Sequence, residues 1–180
     1  NNRRMKLRSI IVIPARYDSS RFPGKPLASL TGANGKKKSL IQRSWEAAKR
    51  IDGIDKILIS TDDDRIVFEA ESFGAETIKT SKSCKNGTER CAETSTLLDE
   101  NYDIVVNLQG DAPLTPNWFV EALVKELKKN NKFDVVTPVL QCDTEAHRMF
   151  IEDRSHGRVG GTTVVFNKNK KALYFSKEVI

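Results

Sequence analysis

The chain has 180 residues, 30% of them charged, and a formal charge of +6. That is about one domain's worth, long enough to bury a core without staples, and its charged fraction near the globular average argues against disorder. No run approaches the roughly 20 apolar residues of a membrane span, and the cations are scattered without interleaved aromatics, so a membrane span or a nucleic-acid face is disfavoured while small anionic substrates stay compatible.

Residues 1–8 read as a disordered or vector-derived tail, with too short an apolar stretch behind the cations for a signal peptide. Ile10 to Ile13 is apolar and predicts a buried strand. Residues 14–27 (PARYDSSRFPGKPL) hold three prolines, a glycine and two serines and predict a loop. The loop carries Arg16, Arg21 and Lys25. A stiff basic loop after a strand is where open α/β sheets bind ligands, so it is a candidate polyphosphate site; the plainer reading is a solvated charged loop.

Residues 30–38 fail the Walker spacing, because Lys37 stands where the second glycine belongs, and read as a surface loop. Ser39 can cap a helix to about Arg50, with Leu40, Ile41, Trp45 and Ala48 on one face. Residues 56–60 predict a second strand. Thr61 or Asp62 then caps a helix to about Phe73. The run Asp62, Asp63, Asp64 suits that helix start better than a metal site, since adjacent helical side chains diverge. Gly74 stops the helix, and residues 76–79 are a weak third strand. Thr88 starts a helix with Cys91, Ala92, Ser95 and Leu98 inward. Gly87 and Thr88 at its start offer N–H groups to an anion or a polar base edge.

Residues 103–108 predict a fourth strand. At its end, residues 109–114 (QGDAPL) present Asp111 on a Gly-flanked turn. Asp111 suits Mg²⁺ shared with substrate phosphates, and equally a turn-forming acid. Pro116 opens a helix to about Asn130, with Phe119, Leu123, Val124 and Leu127 inward. Residues 134–140 read as a fifth strand, at an edge or bulged because of Pro138. A short helix over 145–152 and strands over 159–167 and 172–176 complete the chain.

Strands alternate with helices at least four times, which predicts a three-layer α/β sandwich with a mainly parallel sheet, as one domain over 9–180. If the first and fourth strands are neighbours, both loaded loops share a cleft at the topological switch point. Cys84, Cys91 and Cys142 form neither a disulfide framework nor a zinc motif, so a reduced cytoplasmic protein is the default. His147 and His156 stand alone, and no Ser–His or Cys–His arrangement suggests a nucleophile.

Residues 13–27 closely resemble the nucleotide-binding loop of 3-deoxy-manno-octulosonate cytidylyltransferases, the CMP-Kdo synthetases. Residues 60–63 (STDD), 86–90 (NGTER), 106–114 (VNLQGDAPL) and 172–176 (ALYFS) fall in that family's order across nearly the whole chain. Sialic-acid-activating relatives have a Gly-Gly-Ser-Lys-type segment in place of YDSSR. The resemblance implies a Rossmann-like nucleotide-diphospho-sugar transferase architecture and a Mg²⁺-dependent cytoplasmic nucleotidyltransferase of lipopolysaccharide biosynthesis. Such an enzyme moves CMP from CTP to the anomeric hydroxyl of an acidic sugar, here 3-deoxy-manno-octulosonate, and releases pyrophosphate. It implies a homodimer, with neither nucleic acid nor membrane as partner.

By the same resemblance Arg16, Lys25 and Asp111 are catalytic, with Asp111 holding the metal. Arg16, Arg21 and Lys25 would bind the CTP phosphates; Gly87, Thr88 and Arg90 would line the cytosine pocket; Gln109 would lie near the sugar and ribose. Departures are Ala112 in place of a second acid, a longer segment over 32–38, and a divergent stretch over 156–163. The family continues for tens of residues past the position of Ile180, and its second metal-binding Asp and parts of the sugar pocket and dimer contact are expected there. Two alternatives stay open: a CTP-binding domain that is non-catalytic alone, and a cytidylyltransferase for a sialic-acid-like nonulosonate.

Overall fold

The structure is a computed structural model that describes residues 7–18, 22–129 and 132–180. Its contacts divide the chain into two compact units, residues 1–136 and 137–180. The first unit holds β1 (Ser9–Ala15), a short 3-10 turn (Lys25–Leu27), β2 (Ser29–Thr31), β3 (Lys37–Ser39), α1 (Leu40–Ala48), β4 (Lys56–Thr61), α2 (Asp64–Ser72), β5 (Glu76–Lys79), α3 (Gly87–Leu97), β6 (Ile104–Asn107) and α4 (Asn117–Lys129). The second holds α5 (Thr144–Ser155), β7 (Thr163–Phe166) and β8 (Ala172–Ser176).

Four parallel strands form the central sheet in the order β5-β4-β1-β6. β1 is buried along its whole length. Ile11, Ile13 and Ala15 face one layer, with α1, α2 and α4 residues such as Ile41, Ile66 and Val124; Ile10 and Val12 face the other, with Cys91 of α3. This is the period-two alternation of a strand covered on both sides, and it explains why the strand reads as an unbroken apolar run. Each fully buried Ile contributes roughly 2–3 kcal/mol of transfer free energy, more than a typical surface ion pair. The predicted α/β sandwich with a parallel sheet is therefore the fold.

Helix starts follow from short polar side chains. Ser39, Asp63, Asn86 and Asp143 each accept a hydrogen bond from a backbone N–H of the first turn, worth about 1 kcal/mol apiece. The cap of α2 is thus Asp63, not Thr61 or Asp62: Thr61 completes β4 and is fully buried.

Other differences have similar local causes. Residues 30–38, read as a loop, contain the antiparallel β2–β3 pair, which is too short and polar to show an alternating pattern. Residues 134–140 form no strand; Val135 and Leu140 stay exposed, and Pro138 lacks the N–H a ladder needs. On α3 the buried face is Arg90, Cys91 and Thr94, with Leu98 just beyond it packed on the same apolar cluster, while Ala92 and Ser95 are exposed; Cys91 meets Ile10, Val12 and Leu58, and Arg90 and Thr94 find polar partners in Asp62, Thr80 and Ser60.

In the second unit, β7 and β8 pair antiparallel around a turn in which Lys170 takes φ 60°, with an irregularity between Val165 and Phe166. Arg154 binds the carbonyls of Arg158, Gly161 and Lys177, which gathers the end of α5 and both flanks of the hairpin.

Candidate functional site

β4 and β6 lie on opposite sides of β1, so chain direction around the sheet reverses between β1 and β6. The loops leaving the carboxyl ends of these two strands bound a cleft of about 320 Å³ at that switch point. Arg16 and Lys25 line it from the first loop, Gln109, Gly110 and Asp111 from the second, and Asn86, Gly87 and Arg90 from the start of α3.

The two loops meet in an ion pair. Lys25 Nζ lies 2.5 Å from Asp111 Oδ2, with both side chains about half exposed (45% and 49%). At that exposure the pair adds at most about 1 kcal/mol to stability. Arg16 is exposed, with no hydrogen bond or ion pair among the described residues. Among the described residues the cleft thus has two cations without an ion pair, Arg16 and Lys85, two shared with a carboxylate, Lys25 and Arg90, and the N–H groups of a helix start.

Two glycines allow the walls to close up. A Cβ on Gly87 would stand 2.8 Å from the Gln109 amide and 3.1 Å from Pro14 Cγ. A Cβ on Gly110 would stand 3.0 Å from the Pro14 carbonyl oxygen. The Gly110 carbonyl in turn accepts a buried hydrogen bond from Ser44 of α1 at 2.7 Å, which fixes the turn that presents Asp111. Gln109 donates to Asn107 at 2.6 Å, so its amide is held over the cleft floor beside Gly87.

The Arg90 side chain is 4% exposed, and Arg90 is a structural as well as a lining residue: it pairs with Asp62 at 2.9 Å and donates to Thr80. Cys84 at the rim donates to Glu93 at 2.8 Å. Burial, then the Glu93 carboxylate, push the Cys84 thiol above its ordinary range, so it is a poor nucleophile. The thiol and the Ser81 N–H hold Glu93 below the usual carboxylate range.

Of the residues singled out in the sequence, the structure brings Arg16, Lys25, Gly87, Arg90, Gln109 and Asp111 to one cleft. Thr88 is exposed at the start of α3 and is not among the lining residues. Arg21 lies outside the described residues. Lys85 and Asn86 also line the cleft. The NGTER string points to Asn86, but only the approach of α3 to β1 reveals the role of Lys85. Among the described residues no group of three or more His, Cys, Asp or Glu side chains is placed to hold a metal ion. Among the described residues lining the cleft Asp111 offers the one carboxylate, which fits Mg²⁺ held by one carboxylate plus substrate phosphates. No helix among the described residues is long and apolar enough to cross a membrane.

A family model described as Cytidylyltransferase matches residues 10–180. The 3-deoxy-manno-octulosonate cytidylyltransferase of Maricaulis maris is 41% identical over 95% of this chain and 64% of its own length. A mitochondrial protein of the same name from Arabidopsis thaliana is 41% identical over 99% of this chain and 57% of its own. A solved structure of CMP:2-keto-3-deoxy-manno-octonic acid synthetase complexed with CTP is 31% identical, covers 96% of this chain and 65% of its own, and superposes with a TM-score of 0.78. The chain spans about three fifths of the length of these curated relatives. It belongs to the cytidylyltransferase family.

Proposed function

We propose that this member of the cytidylyltransferase family is the CTP-binding and catalytic part of an enzyme that moves CMP from CTP to the anomeric hydroxyl of 3-deoxy-manno-octulosonate, releasing pyrophosphate. The observation that carries the reading is the Lys25–Asp111 contact across the switch point. It joins the two loops that the family resemblance assigns to the triphosphate and to the metal. Similarity to relatives of that name supports the sugar, and similarity to a CTP complex supports the nucleotide.

Arg16 and Lys25 bind the triphosphate and stabilise the charge that develops on departing pyrophosphate. Arg21 belongs to the same loop and assists. Gly87 and Arg90 form the cytosine side, and Gln109 orients the ribose and the incoming sugar hydroxyl. Asp111 would hold Mg²⁺, which when bound neutralises phosphate charge. As CTP enters, Lys25 exchanges its carboxylate partner for phosphate oxygens, which leaves the Asp111 carboxylate that would hold Mg²⁺ without its cation. Rate then comes from positioning and electrostatics, without a protein nucleophile. The three free cysteines agree with a reducing compartment, proposed as the cytoplasm. Association as a homodimer is also proposed, and sedimentation checks it.

The test is pyrophosphate release with CTP and Mg²⁺ over a panel of acidic sugars. Turnover with 3-deoxy-manno-octulosonate is expected. Turnover only with a nine-carbon sugar acid would reassign the sugar, and CTP binding without any turnover would leave a binding domain. Asp111→Asn should abolish Mg²⁺-dependent turnover while leaving the fold intact.

A further inference from the structure

The turn between β4 and α2 borders neither loaded loop in sequence, yet it reaches both walls of the cleft. Asp62 pairs with the Arg90 guanidinium at 2.9 Å, the two side chains being 14% and 4% exposed. Arg90 also donates to Thr80, and its backbone carbonyl accepts from Thr94, whose hydroxyl meets Ser60 of β4 at 2.7 Å. The Arg90 N–H bonds the Asn86 carbonyl, so this buried network fixes the first turn of α3 with Gly87 in it.

The next residue works in the opposite direction. Asp63 is extended, with φ −116° and ψ 123°, so its side chain leaves on the other side from that of Asp62. Its carboxylate accepts from Arg65 Nε at 2.9 Å and from Arg65 Nη2 at 2.6 Å. The guanidinium held this way lies 3.2 Å over the Tyr17 ring centroid. Tyr17 closes the basic loop: its carbonyl accepts from the Gly24 N–H at 2.8 Å. Gly24 has φ 70°, and a Cβ there would stand 3.0 Å from the Tyr17 ring. Lys25 follows directly.

We propose that residues 62–65 are a positioning turn: Asp62 sets the base-side wall through Arg90, and Asp63 sets the phosphate-side loop through Arg65 and Tyr17. Neither acid touches the cleft. Each locks the side chain that supports a wall, as second-layer contacts do for a preorganised site. This also explains why three consecutive acids do not make a metal site: two of them diverge to separate cations.

The binding readout rests on the assignment of the cleft to CTP, whereas the exchange readout does not. Arg65→Met and Asp62→Asn are compared with the parent chain, and Thr80→Val replaces Asp62→Asn if that variant does not fold. In amide exchange without nucleotide, Arg65→Met should speed exchange at Gly24 and leave Glu89 and Arg90 unchanged; Asp62→Asn should do the reverse. In titrations, Asp62→Asn should weaken cytidine and CTP by the same factor, on the order of tenfold. Arg65→Met should weaken CTP by a similar factor and leave cytidine unchanged. Equal loss of cytidine and CTP in Arg65→Met, or exchange that changes at both walls or at neither, overturns the proposal. If the parent chain binds neither ligand, the CTP reading fails and the exchange pattern alone decides the positioning turn.

Discussion

At the amino end of the sheet, Arg8 bonds Glu100 and stacks on Tyr102, Lys56 pairs with Glu76, and Lys49 sits over Trp45. At the carboxyl end, Arg16 and Lys85 have no ion pair among the described residues, and Lys25 shares only Asp111. The same four strands thus separate an edge where Arg8 and Lys56 are held by carboxylates from one that keeps Arg16 and Lys85 without an ion pair among the described residues. Uncommitted cations beside a helix N-terminus attract an anionic ligand and lose little on binding. The difference supports the proposal that places the CTP site at the carboxyl end.

Matched substitutions at the two ends give the sharpest break. Lys25→Met should lower kcat/KM on the order of 10²-fold or more, as loss of a charge-stabilising donor does, with little change in melting temperature. Lys56→Met should leave kcat/KM unchanged and cost less than about 1 kcal/mol of stability in denaturant titration. Equal losses of activity would dissolve the contrast.

Gly110→Ala tests the working end by shape instead of charge. Its Cβ would meet a backbone oxygen at 3.0 Å, which cannot swing aside as a side chain can. Overpacking of this kind costs about 1–3 kcal/mol, and CTP affinity measured by calorimetry should fall with it because Asp111 is displaced.

Acid should act on both regions by one mechanism. The Arg8 guanidinium holds Glu100, and the Arg65 guanidinium holds Asp63, below their ordinary ranges. A carboxyl depressed in the folded state adds stability above its unfolded value of about 4, and that stability is lost as pH falls through the lower folded value. Urea midpoints should therefore be flat near neutrality and drop below about pH 4. A midpoint that rises on acidification would contradict these pairs.

The smallest effect concerns thiols. Cys142 is exposed, and Cys84 is raised by burial and Glu93; Cys91 is pushed up to about 11 by burial. A thiol reagent near neutral pH should label Cys142 first and leave Cys91 until the chain unfolds. Labelling of Cys84 should slow further when CTP fills the cleft.

Much of this was legible from residue order. The apolar run at Ile10 to Ile13 determined a strand buried on two faces, because no half-exposed strand tolerates it. The prolines and cations of residues 14–27 pointed to a basic loop after that strand, although Pro14 and Ala15 extend β1 and Lys25–Leu27 close into a 3-10 turn. Ser39 and Gly74 punctuated helices through local hydrogen bonding and φ freedom. Only tertiary structure could decide how Asp62 and Asp63 divide between Arg90 and Arg65, which face of α3 is buried, and that residues 134–140 make no strand. Those outcomes depend on partners distant in sequence, Asp62 on a residue of another helix and Asp63 through Arg65 on Tyr17. The same is true of the cleft: its loops lie more than eighty residues apart, and only the placement of β6 beside β1 brings Lys25 within 2.5 Å of Asp111.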